Sequence, residues 1–494
     1  MSHKRAKRER KTGRQYSGLD RHQQIGRTLT PPWMTIPKMT PASWIHERLP
    51  EMAWAALLVT HLERQSALDV IREVAMYISR LPANLRPSTL THSALATANP
   101  EVANDIIAII AKDLTNRLFL KSLLAFRDLP ARSIWLEQLG EPNEEIDWAP
   151  LAFAVGRTLH HQSQEATDCR WAKVLARLAS DKLKLATQEA VREISEYPTF
   201  GDQRKVRPTI RATEIAFAGP GGDELKTAWP KLFWDQCLAE TPCTLIQENP
   251  PRVVTRGISE AAVGELYAGL IRHAFVTQAT SEIDAKHDTV FGVSLYCVNL
   301  LRELLLPGTG RSALGRMALR TMLECFVTLT YLVAKNDPAL WTSNRVYGAG
   351  QAKLSFLKLD ECESPPGYVS LETLEALANE DQWQEFLSID LGHWDKSNLR
   401  KMSETAGVKD VYDMFYPWPS AYVHGQWGAV RDTVFTTCLN PLHRLHRVPR
   451  ASARQQNEVV SDACLLLDKM MVVVDKCYPS FRIRVSPDAG RTST

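Results

Sequence analysis

The stretch ALGRMALRTMLECFVTLTYLVAK, residues 313–335, decides the fold class. Between Thr321 and Ala334 its only charge is Glu324, and a 3.6-residue period puts Arg316, Arg320 and Glu324 on one stripe of an otherwise apolar helix. A helix that is greasy nearly all round belongs in a core, so other helices must cover it. An unpaired carboxylate in such surroundings would cost several kcal/mol, comparable with the stability margin of a whole domain. Arg320, one turn earlier, is the expected partner of Glu324.

A second stretch, VYDMFYPWPSAYVHGQWGAVRD at 411–432, repeats the spacing. Tyr412, Tyr416, Ser420 and His424 stand four residues apart, and Gly425 and Gly428 follow. Proline fits the first turn of a helix and not its interior, which predicts a break near Tyr416 and a new helix from Pro417 or Pro419. Ser420, His424 and Arg431 then share a face. The glycines leave room for a neighbouring backbone or a ligand beside the imidazole.

Outward from these segments, helix starts and stops recur and no series of alternating strands appears, so an all-α, multi-helical architecture is expected. Ser66 is read as a cap for SALDVIREVAMYISRL, and Asn99 as the cap before Pro100. Residues 198–221 look least regular and hold Arg204, Lys205, Arg207 and Arg211. The two prolines and the glycine of NPPRVVTRG, 249–257, mark the best domain boundary. The expected organisation is a basic arm and connector at 1–40, a helical domain at 41–250, a second helical domain at 251–480 and a tail from 481.

With 494 residues, 44% hydrophobic and 8% aromatic, the composition is that of a folded, soluble protein of several domains. No apolar run approaches the roughly 20 residues of a membrane span, and no secretory leader is apparent, so a cytoplasmic protein without membrane contact is expected. Nine scattered cysteines with no CxxC argue against a disulfide framework. Cys438, His443 and His446 come nearest to a metal cluster, but their spacing matches no standard finger and Pro441 and Arg444 lie among them, so neither metal nor cofactor is expected. Residues 1–27 carry nine Lys or Arg against Glu9 and Asp20, in front of a slightly acidic remainder. Such an arm holds a phosphate backbone by charge, or serves only as a solubilising tail.

Tyr416, Trp418, Tyr422 and Trp427 set aromatic faces near His424, and aromatic faces beside arginine are what single-stranded nucleic acid stacks on. The bland alternative for each is core packing. No serine elbow, kinase signature or dinucleotide fingerprint is present.

The segments ALRTMLECFVTLTYL, GHWDKSNLRKMSETAG (392–407) and YDMFYPWPSAYVHGQW, the last with a tyrosine, then a serine, then Val-His-Gly, resemble a bacterial family of helical domains of unknown function similar to HEPN proteins. The resemblance covers about 280–440. It implies an antiparallel helical bundle in which Arg320, Glu324, Tyr416, Ser420 and His424 meet in one polar pocket. HEPN ribonucleases carry an arginine four to six residues before the histidine; here Pro-Trp-Pro stands at 417–419, and Arg431 comes after it. Arg320 from the neighbouring helix would substitute.

The leading expectation is therefore a nucleic-acid-binding protein, RNA before DNA, and a candidate metal-independent ribonuclease of prokaryotic antiphage defence. His424, Arg320 and Glu324 would be catalytic; Tyr416, Ser420, Tyr422, Arg316 and Arg431 would bind substrate. Self-association into a homo-oligomer is left open. The rivals are a non-enzymatic helical scaffold and a module binding a nucleotide or other small ligand.

Overall fold

The computed structural model describes residues 21–32, 43–142, 145–217, 227–246, 258–444 and 446–485. Helix accounts for 66% of the chain and strand for 3%, so the architecture is all-α and multi-helical. The chain forms two compact units, one of Met1–Ile246 with Thr437–Arg447, the other of Gln247–Thr436 with Val448–Thr494. The Pro-rich stretch 249–257 and residues 1–20 of the basic arm lie outside the described residues. No sequence signal announced the return of 437–447 to the first unit.

The first unit opens on a small hairpin, β1 (Gln23–Ile25) and β2 (Thr28–Thr30), turned at Gly26 with a positive φ of 59°. Its principal helices are α1 (Ala53–His61), α2 (Arg64–Arg80), α3 (Pro100–Ile110), α4 (Ala149–Thr158), α5 (Gln164–Ala179), α6 (Gln203–Phe217) and α7 (Trp229–Glu240). Asn99 caps α3 as expected, accepting from the N–H groups of Glu101 and Val102 at 3.0 and 3.2 Å. The expected cap of α2 moves: Glu63 caps it and Ser66 is the donor, its N–H 3.2 Å from Glu63 Oε2.

α6 overturns the reading of 198–221 as irregular. It is helical despite Pro208 within it, because Val206, Ile210 and Glu214 form a buried stripe packed on α5. Glu214 is fully buried and meets Arg48 Nε at 3.0 Å, Lys173 Nζ at 2.9 Å and Arg170 Nε at 3.4 Å. Burial would raise its carboxyl, but Lys173, Arg48 and Arg170 outweigh that and hold it below the usual range. Tertiary charge pairing thus overrides the local cost of proline.

The second unit contains α8 (Glu260–Thr277), α9 (Ala285–Leu305), α10 (Ala313–Lys335), α11 (Pro338–Asp360), α12 (Leu399–Thr405), α13 (Lys409–Phe415), α14 (Pro417–Val423) and α15 (Trp427–Val434). Short strands β3 (Phe435–Thr437) and β4 (Arg447–Pro449) pair where the chain leaves and re-enters this unit, and α16 (Val460–Cys477) closes it. α10 is the hub, packed by α9, α12, α14 and α16. Leu319, Leu323, Phe326, Val327 and Leu332 of α10 are buried there. Ser312 caps its start, and Asn336 ends it in the left-handed conformation.

By length and composition α10 could also span a bilayer, contrary to the expectation that no run comes near that length. The sequence reading was misled by the three charges that punctuate it. Contacts with four helices account for its apolar faces as a protein core.

Candidate functional site

Pro417 breaks the helix where expected. α13 ends at Phe415, Tyr416 stands at the junction, and α14 restarts with proline in its first turn. This kink sets Tyr416 against α10. The rings of Tyr412 and Tyr416 stack with centroids 4.4 Å apart, and the Arg320 guanidinium lies 3.9 Å over the Tyr416 ring. Arg320 Nη2 then reaches Glu324 Oε1 at 2.5 Å. The column runs Tyr412, Tyr416, Arg320, Glu324.

The expected pair is present but its burial is inverted. The Arg320 side chain is 7% exposed and that of Glu324 is 49% exposed. The carboxylate sits at the helix surface, and the arginine reaches out to it from below. Arg320 Nε and Nη1 are buried and make no hydrogen bond among the described residues. The stack on Tyr416 is therefore the main partner of that face of the guanidinium.

Arg316 and Tyr422 belong to the fabric of the unit. The Arg316 guanidinium donates to the carbonyls of Gly310 and Ser312, both at 3.2 Å, and of Asn457, tying the start of α10 to the segment before α16. Tyr422 donates its hydroxyl proton to Asp432 Oδ2 at 2.9 Å and accepts from Gln456 Nε2 at 2.9 Å, while Arg454 Nη1 meets Asp432 Oδ1 at 2.8 Å. Burial, then Asp432, pushes the Tyr422 hydroxyl up. Ser420 is buried, its N–H on the Tyr416 carbonyl at 3.2 Å.

His424 is exposed. It caps α14, its backbone N–H 3.2 Å from the Ser420 carbonyl, and its imidazole makes no hydrogen bond among the described residues. Gly425 follows with φ at 56°, a left-handed turn that suits glycine and starts the reversal into α15. Of the five residues of the implied pocket, Arg320, Glu324 and Tyr416 touch, Ser420 is buried one turn after Tyr416, and His424 is exposed one turn further on.

Around His424 the turn is unusually open for aromatic residues. Trp418 is 52% exposed and Trp427 62%, and Arg431 is exposed on α15 without an ion pair among the described residues. The space at Gly428 is taken by Trp418, whose ring carbons would lie 3.2 and 3.3 Å from an added Cβ. The glycine accommodates that ring, where the sequence suggested room for a ligand.

In the first unit the sequence reading found three of four groups. Cys243, Cys438, His443 and His446 each place a ligand atom within 4.8 Å of every other. Cys243 stands 195 residues before Cys438, too far for any spacing rule to connect. The signal that was available is Thr-Pro-Cys-Thr directly after α7, an exposed cysteine in a non-helical strip.

Residues 296–437 match the profile of a family of unknown function (DUF5677). The second unit thus carries a domain of unknown function in the C-terminal half of the chain, and Trp418, His424, Trp427 and Arg431 all fall inside the match. Comparison with curated proteins and with solved structures gives no significant match.

Proposed function

We propose that the second unit is a HEPN-like nucleic-acid-binding domain that takes single-stranded RNA along the turn from α14 to α15 and cuts it without a metal, as a cytoplasmic effector of antiphage defence. The observation that carries this reading is the state of His424: exposed, without a side-chain hydrogen bond among the described residues, and flanked in sequence by the exposed Trp418, Trp427 and Arg431. Apolar rings left open beside a cation are costly in water and useful to a partner with flat faces and phosphates. Histidine is the side chain whose ordinary pKa suits proton transfer near neutrality.

In this mechanism bases stack on Trp418 and Trp427 while Arg431 holds the phosphate. His424 removes the proton of the ribose 2′-hydroxyl, whose oxygen bonds to phosphorus as the bond to the 5′-oxygen breaks. The leaving 5′-oxygen takes a proton from water, the imidazolium returns its own to solvent, and a 2′,3′-cyclic phosphate and a 5′-hydroxyl result. Arg320 acts at one remove, holding Tyr416 and so the kink that presents α14. The antiphage context rests on the HEPN resemblance. A scaffold without catalysis is the second reading, favoured by the buried network of Arg316, Tyr422, Asp432 and Gln456.

Tryptophan fluorescence on titration with single-stranded RNA tests the binding step. Each of Trp418→Ala and Trp427→Ala is expected to weaken binding by about 1–3 kcal/mol, the worth of one base stack. Removing residues 1–27 should flatten the salt dependence if the arm contacts phosphates. Parental affinity in both tryptophan variants would dismiss this surface.

A further inference from the structure

We propose that Cys243, Cys438, His443 and His446 bind one Zn²⁺ in a closed structural site of the first unit. The site is built by two pieces of chain that sequence alone would never pair. After α7 the strip Thr241–Ile246 runs extended, and Leu245 forms an antiparallel bridge with Cys438. The Leu439 N–H donates to the Thr244 carbonyl at 2.6 Å. Cys243 is thereby fixed beside the start of the returning segment.

That segment then folds over the pair. Pro441–His443 makes a tight turn, Arg444 takes a left-handed conformation, and the His446 carbonyl accepts from the Cys438 N–H at 3.0 Å. Leu442 anchors the turn in the apolar core of the unit, and Pro441 lies against Gly156 of α4, 3.1 Å from the position of an added Cβ. Arg444 caps the outer side, stacked 5.1 Å from the Trp234 ring and 2.7 Å from His46 Nδ1. Of the three ligands on this segment Cys438 and His443 are buried and His446 is half-buried.

The distances suit zinc. With Zn–S near 2.3 Å and Zn–N near 2.05 Å, a tetrahedron has sulfur-to-nitrogen edges of about 3.6 Å. Cys243 Sγ lies 3.6 Å from His443 Nδ1 and 3.3 Å from His446 Nε2, and Cys438 Sγ lies 3.3 Å from His443 Nδ1. Two thiols and two imidazoles with no carboxylate are a donor set that favours zinc over magnesium or calcium.

The hydrogen-bond accounting at His443 is the most telling observation. Thr241 spends its one hydroxyl proton on the Cys237 carbonyl at 2.7 Å, so its oxygen can only accept from the imidazole. His443 Nε2 lies 2.9 Å from that oxygen and 3.1 Å from the Thr241 carbonyl, also an acceptor. The proton therefore sits on Nε2, and the lone pair of Nδ1 faces both sulfurs. This is the arrangement in which metal-bound histidines are held, with the second nitrogen donating to an oxygen behind it. Asn440 supports the same carbonyl strip, its Nδ2 donating to Thr241 Oγ1 at 3.1 Å and to the Pro242 carbonyl at 2.9 Å.

Binding releases one proton from each thiol, and two thiolates then balance the charge of the cation. Four protein ligands leave no open position, so the metal holds structure and does no chemistry. What it holds is the root of an insertion. The chain leaves the first unit after Ile246 and returns to it at Thr437, so residues 247–436, with all but the last residue of the matched segment 296–437, lie between Cys243 and Cys438. Zinc clamps exit to return within one unit.

The test uses the full chain, stripped by chelator under reductant, reloaded with Zn²⁺ and desalted, with metal content read by mass spectrometry. About one Zn²⁺ per chain is expected. Cys243→Ser, at an exposed position, and His446→Gln should lose the metal while keeping the parental helical circular dichroism. Asn440→Ala, a positioning variant, should bind zinc about tenfold or more weakly against a chromophoric chelator. With Co²⁺, the parental protein should show a thiolate charge-transfer band that Cys243→Ser lacks. Reduced parental protein that binds no zinc, or variants that retain all of it, would overturn the site. A Cys243–Cys438 disulfide persisting under reductant would overturn it as well.

Discussion

Each unit has one conspicuous carboxylate and one conspicuous histidine, and the two units treat them oppositely. In the first, Glu214 is sealed among Arg48, Arg170 and Lys173, and His92 is wholly buried between Trp135 and Trp229, ring centroids 5.6 and 6.1 Å away. In the second, Glu324 is half in water and His424 stands in it. Buried groups of this kind serve stability, and groups left exposed without partners remain available to a ligand. The helical spacing that singled out Glu324 and His424 in the sequence does not say which groups end buried.

The largest effect that would break or sharpen this contrast is at Glu214. Glu214→Ala strands three cations in a core and should cost about 3–5 kcal/mol, read as a large fall in melting temperature. Because its folded carboxyl is held below the unfolded value, the stabilisation is present above about pH 4.3 and is lost as pH falls through the folded value. A melting temperature near the parental one would mean that the cluster is wet.

His92 comes next. Burial pulls its imidazole down to about 3, and neither ring nitrogen has a hydrogen-bond partner among the described residues. A depressed folded value means that full stability holds above the unfolded pKa near 6.5 and erodes as pH falls from there towards the folded value. The loss should run at about 1.4 kcal/mol per pH unit. His92→Leu should remove that slope between pH 6 and about 4 relative to the parent, in denaturant titrations at stepped pH. Identical slopes would contradict a buried neutral imidazole.

Glu324→Ala is the smallest. An ion pair with one half-exposed partner is worth about 1 kcal/mol or less, and Arg320 keeps its stack on Tyr416. A loss as large as that of Glu214→Ala would erase the difference between the units.

Much of the helical order was legible. Asn99, Pro100 and Pro417 announce helix boundaries through local chemistry, and the apolar period of 313–335 identifies the hub. The misses share a cause in long-range contact. The stretch 198–221 looked least regular, yet it holds a helix that Glu214 secures through partners elsewhere in the unit. His424 shares a spacing with Tyr416 and Ser420, but spacing alone does not reveal that Ser420 is buried and His424, the C-cap, is exposed. Cys243 could not be joined to Cys438 until a bridge at Leu245 brought them side by side.

The central claim concerns His424, and an RNA cleavage assay on the full chain tests it most directly. His424→Gln keeps much of the volume and some hydrogen bonding but cannot transfer a proton near neutrality. The parental protein is expected to bind single-stranded RNA and cut it to products with cyclic phosphate ends, undiminished by chelator in the assay. The variant, with parental melting temperature, is expected to bind equally and leave the RNA intact. Equal cutting by a folded His424→Gln, or RNA left uncut by the parental protein, would contradict the account.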